Sequence, residues 1–145
     1  MKAVCILIKF IKYNVLIIVL IIVFNACDIF PPKAYKISNN YYLVQRQSQK
    51  KIKYYLSYKT ASVHGGGVVD GTVQEIGWND SIIVVRRKAL ANVDMDGWIV
   101  IEVPTGKVSD PFPHDLICSV LDSLGCKDLK LLNVMEAWKS LQSHN

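Results

Sequence analysis

Three histidines, four cysteines and twelve carboxylates carry most of the chemistry this 145-residue chain could perform. His64, His114 and His144 are widely spaced, and His144 is the penultimate residue, where chain ends hold little order. No HExxH, GxSxG or Cys–His motif joins them. His64-Gly65-Gly66-Gly67 lacks the GxxxxGK[ST] pattern of a phosphate loop and reads as a surface loop. Thr105-Gly106-Lys107 follows a strand-like run and a proline, so it is not a phosphate motif either. Asp80, Asp94 and Asp96 are turn carboxylates close to Trp78 and Trp98. Paired carboxylates between aromatic rings are the parts of a sugar site. Trp78, Asp80, Asp96 and Trp98 are therefore the candidate binding surface. Against it, Asp94-Met95-Asp96-Gly97 lacks the remaining ligands of a calcium loop, and turn aspartates commonly serve the turn itself. The competing expectation buries both tryptophans in the core of a sheet. Neither metal nor cofactor is expected, and the absence of an assembled motif argues against an enzyme.

The cysteines divide by position. Cys118 and Cys126 are eight apart, with no CxxC and hence no zinc spacing. In one straight helix they would lie about 12 Å apart, too far to bond. A helix stop at Gly125 would let Cys126 turn back, so a disulfide and a pair of buried free thiols are both open. Cys27 has a different setting. Residues 15–24, VLIIVLIIVF, are ten consecutive apolar residues behind a segment holding Lys2, Lys9 and Lys12 and no acid. A membrane span needs about 20 residues; ten fits the ~7–15 of a secretory signal's apolar core. Phe24-Asn25-Ala26-Cys27 follows and resembles a bacterial lipobox, with Phe24 and Asn25 where Leu and Ser or Ala are usual. The resemblance implies diacylglyceryl transfer to the Cys27 thiol, cleavage before it, and acylation of the new amine, palmitate being a typical chain. Residues 1–26 are then a lipoprotein signal. Alternatively, 3–30 is an uncleaved membrane helix with snorkelling lysines, or a buried core helix. The first two share a topology: an anchor in the cell membrane or outer membrane, then a domain outside the cytoplasm.

Without that leader, 14 basic and 12 acidic residues remain, so a nucleic-acid-binding charge is not there overall. The distribution is uneven. Residues 28–59 hold seven basic residues against Asp28, whereas 60–145 hold seven against eleven acids. The basic part adjoins the anchor, where it would face anionic headgroups; the plainer reading is a solvated strand face.

The elements follow from periodicity. Residues 27–40, with Pro31-Pro32 and Ser38-Asn39-Asn40, read as a tether, and 41–145 as one small domain. Residues 41–47 are a first strand. In 51–59, Ile52, Tyr54, Leu56 and Tyr58 alternate with Lys51, Lys53, Tyr55, Ser57 and Lys59, a half-buried strand. Its interleaved tyrosines and lysines could stack nucleic-acid bases, but tyrosine is simply a good strand residue, and no nucleic-acid partner is expected. Residues 73–78 and 81–87 form a hairpin about Asn79-Asp80, with apolar 82–85 as the best-buried strand. Residues 98–103 are another strand. From Pro113 the period becomes helical, through Leu116, Ile117, Val120, Leu121 and Leu124 to a stop at Gly125. Asn133 opens a second helix with Val134, Ala137, Trp138 and Leu141 on one side. The expected fold is α+β: one antiparallel sheet of about five strands with one or two C-terminal helices on one face.

With Glu75-Ile76-Gly77-Trp78-Asn79-Asp80, the Ile-Ile-Val-Val strand after it, and Asp96-Gly97-Trp98 ahead of Ile-Val-Ile, the chain resembles an uncharacterised family of small bacterial lipoproteins. The likeness covers 41 to about 125. It implies anchoring and fold and brings no catalytic residue. The expectation is a membrane-anchored envelope protein, a non-enzymatic binding or interaction module. Its partners would be membrane lipid through the anchor and an envelope protein. The alternative is an immunity-type or inhibitor lipoprotein against a secreted toxin or hydrolase, which a toxin gene alongside would favour.

Overall fold

The computed structural model describes residues 32–48, 51–59, 67–69, 71–90 and 95–144. Cys27, the whole 1–31 segment, the 64–66 part of the glycine run and Asp94 lie outside these. Residues 32–145 form a compact unit by themselves.

The unit is α+β, built on two antiparallel sheets rather than the single one expected. The first joins β1 (Lys33–Ser38), β2 (Tyr41–Ser48) and β3 (Lys51–Tyr58) in chain order. The second has β4 (Thr72–Trp78), β5 (Ile82–Lys88), β6 (Gly97–Glu102) and the two-residue β7 (Leu132–Asn133), in the order β6-β5-β4-β7. Strand β1 corrects the tether: 33–38 belongs to the sheet. Asn39, at φ 42°, sits in the tight connection to β2, where Asn tolerates a left-handed backbone. Residues 114–116 form a 3-10 turn leading into α1 (Ile117–Ser123), and α2 (Val134–Ser143) closes the chain. Gly125, at φ 67°, supplies the left-handed residue after α1. Asn133 caps α2 by accepting the Met135 N–H at 3.0 Å.

Two apolar cores lie on opposite sides of the second sheet. In the first, Leu43, Tyr54 and Leu56 of the first sheet meet Val73, Ile76, Ile83, Val85, Ile99 and Ile101, with Ala137 and Trp138 of α2. A bulge at Gln74 lets Val73 and Ile76, three apart, face the same way. In the second, Ile82, Val84, Trp98 and Val100 meet Ile117 and Leu121 of α1. Residues 82–85 are therefore all buried, because their strand is covered on both faces. Of the five apolar residues expected on α1, Ile117 and Leu121 are buried. Leu116 and Leu124 are exposed, since one short helix touches the sheet along a single stripe.

Candidate functional site

The four-residue surface read from the sequence does not assemble. Trp98 is fully buried under α1, and its Nε1–H donates to His114 Nδ1 at 2.8 Å. The two rings stack, 18° apart in plane. That bond needs the Nδ1 lone pair, so the neutral imidazole carries its hydrogen on Nε2. Trp78 is half-buried and packs on the opposite core, between the sheets. Along β5, Trp78 pairs with Ile83 and Trp98 with Arg86, a separation of three residues or about 10 Å. Asp80 is exposed in the β4–β5 turn, and Asp96 lies past the other end of β5, accepting the Ala89 N–H at 2.7 Å. The tryptophans thus lie on different faces and the aspartates at different ends, so no ring pair flanks a carboxylate pair.

The motif residues themselves have structural work. Asn79 Oδ1 accepts the N–H groups of Ser81 and Ile82, both at 2.8 Å, which tightens the hairpin turn. A Cβ on Gly77 would stand 2.8 Å from Lys130 O, because the segment ahead of β7 crosses there. A Cβ on Gly97 would stand 2.6 Å from Phe112 O, because 108–112 runs alongside β6. Both glycines let a second backbone approach the sheet. Cys118 and Cys126 are free thiols. Cys118 is exposed and Cys126 half-buried, so neither the disulfide nor the buried pair is formed. His144 Nδ1 lies 2.7 Å from Ser140 O at the end of α2. Among the described residues no three metal-ligating side chains cluster.

Two recesses among the described residues lie on α1's side of the second sheet. One, of about 330 Å³, is walled by Val100, Phe112, Val120 and Leu124 with Glu102, Lys107 and Ser109 at its edge. Its hydroxyl is committed: Ser109 Oγ accepts from Val100 N–H and donates to Asp110 O, both at 3.0 Å. The other, of about 390 Å³, is lined by Gln74, Arg86, Arg87, Asp96, Trp98 and His114. Arg86 holds Glu75 at 2.8 Å, Arg87 donates to Met95 O, and Asp96 offsets it, so the charges nearly cancel.

No match to this chain is found among protein families, curated proteins or solved structures.

The strongest surface feature is one the sequence showed only as a charge run. Register places Ala34 and Lys36 of β1, Tyr42, Val44 and Arg46 of β2, and Lys51, Lys53, Tyr55 and Ser57 of β3 on the outer face of the first sheet. Lys59 follows on the same face. Lys36, Arg46, Lys51 and Lys59 are exposed and Lys53 half-buried. The two tyrosines are half-buried, and Val44, opposite Tyr55, is buried. Arg46 lies 5.8 Å from the Tyr55 ring centre and Lys59 6.0 Å from that of Tyr42, cation–π distances that hold both cations on the face. No acid occurs from 32 to 59. Arg46 and Lys53 stand directly opposite each other, an arrangement that costs a sheet a few tenths to about 1 kcal/mol.

Proposed function

We propose that this chain is a lipid-anchored protein of the bacterial envelope whose folded unit is a non-enzymatic interaction module. The anchor rests on the apolar run 15–24 and on Cys27 at its end. The module rests on one observation: five cations and no acid share the outer face of the first sheet in strand register. Arg46 and Lys53, directly opposite each other, cost the sheet stability that an anionic partner would offset. The resemblance of residues 41 to about 125 to small bacterial lipoproteins bears on the anchor alone.

Metabolic labelling with a clickable fatty acid tests the anchor. Cys27→Ala should abolish labelling and leave unprocessed precursor. Labelling that persists in the variant contradicts lipidation at Cys27.

A further inference from the structure

We infer that the outer face of the β1–β3 sheet docks on the anionic phospholipid surface of the membrane that holds the chain. The inference rests on the proposed lipid anchor. Its physical case has three parts. The first is shape and sign. Three strands lie about 4.8 Å apart, and Lys51 and Lys59, eight residues apart on one face, are separated by about 26 Å. Lys36, Arg46 and Lys53 lie between them, so the cations cover an area rather than line a cleft. A small anion would need convergent donors in a recess; spread cations fit an extended array of phosphates.

The second part is composition. Tyr42 and Tyr55 sit among the cations, and tyrosine has an apolar ring and a polar tip, the combination that suits a membrane–water boundary. The third is reach. Residues 28–32 separate Cys27 from β1, and five extended residues span less than about 20 Å. Attraction between a basic segment and an anionic leaflet falls off within a Debye length, about 8 Å at physiological salt. In sequence, β1 is the element attached most closely to the anchor. Each lysine or arginine near such a surface raises partitioning about five-fold.

The test uses residues 32–145, which close both cores without the leader, and therefore reads the face apart from the anchor. The unit is sedimented with vesicles of phosphatidylcholine alone and with vesicles containing phosphatidylglycerol. Binding is expected only to the anionic vesicles, and should vanish near 1 M salt, where the Debye length is about 3 Å. The triple variant Lys36→Glu, Arg46→Glu, Lys59→Glu should lose roughly 100-fold or more in partitioning, with an unchanged far-ultraviolet spectrum. The control triple Lys107→Glu, Lys127→Glu, Lys139→Glu makes the same net change elsewhere on the surface and should lose far less. Equal losses for the two triples, or no binding to anionic vesicles, overturn the proposal. So does displacement from the vesicles by a single-stranded oligonucleotide at equal total charge, which reassigns the face to nucleic acid. Failure here leaves the Cys27 labelling result standing, and the reverse also holds.

Discussion

The two sheets solve the same burial problem differently, and their cross-strand charges show it. In the second sheet Arg86 is opposite Glu75 and the pair closes to 2.8 Å. In the first, Arg46 is opposite Lys53 with no acid nearby in sequence. The second sheet is covered on both faces, by the first sheet with α2 and by α1. The first sheet buries one face and displays the other. The covered sheet sets opposite charges across its strands, whereas the displayed face sets like charges across its own, an arrangement that costs stability.

The largest test of this division is in the covered sheet. Trp98→Ala empties a fully buried aromatic site and removes its hydrogen bond to His114, so unfolding free energy should fall by about 3–5 kcal/mol. Denaturant melts of residues 32–145 measure it. A loss under about 1 kcal/mol, the scale of an exposed substitution, would mean that the α1 side is not a core. Next in size is Gly97→Ala. Its Cβ would press on Phe112 O, and forcing atoms into a packed site costs about 1–3 kcal/mol. A neutral result would show that 108–112 lifts easily off β6.

The displayed sheet should respond in the opposite direction. Arg46→Glu replaces a like-charged pair by a complementary one and should stabilise by up to about 1 kcal/mol, while Glu75→Lys in the covered sheet should destabilise by a similar amount. If both destabilise alike, the contrast between the sheets fails. The smallest effect lies at high pH. Burial, and secondarily the charge of Tyr58, raises the Tyr41 phenol above its ordinary value of about 10. The neutral phenol is therefore the form the fold favours. Its contribution is complete below the unfolded value and is lost as pH rises through the raised folded one. Tyr41→Phe should flatten the alkaline part of the stability profile and leave neutral pH nearly unchanged.

Much of the fold is legible in the sequence. Unbroken apolar 82–85 marks a strand with no wet face, as found; alternation in 51–58 marks one buried side, which holds at Tyr54 and Leu56 but not at Ile52, exposed near the start of β3. The Asn133 cap and the Gly125 stop depend on local chemistry and are visible locally. The division into two sheets is not local: nothing in β3 or β4 says that they belong to different sheets. Strand β1 carries a readable signal. Lys33, Tyr35 and Ile37 alternate, but Pro31-Pro32 and Asn39-Asn40 look like a linker until the asparagines are recognised as a hairpin turn. The tryptophan–aspartate site fails for a related reason. Trp98's polar atom is satisfied by His114, sixteen residues on, a partner that sequence cannot supply. The basic run is plain as composition, yet its one-sidedness requires both β1 and the register.

The most direct test of the membrane-facing sheet uses the full-length protein, anchored in vesicles. Amine-reactive labelling, read lysine by lysine by mass spectrometry, compares neutral with phosphatidylglycerol-containing bilayers. If the sheet docks through its basic face, Lys36, Lys53 and Lys59 label several-fold more slowly on the anionic bilayer, while Lys107 and Lys139 are unchanged. Equal labelling of all five in both bilayers would contradict a docked sheet.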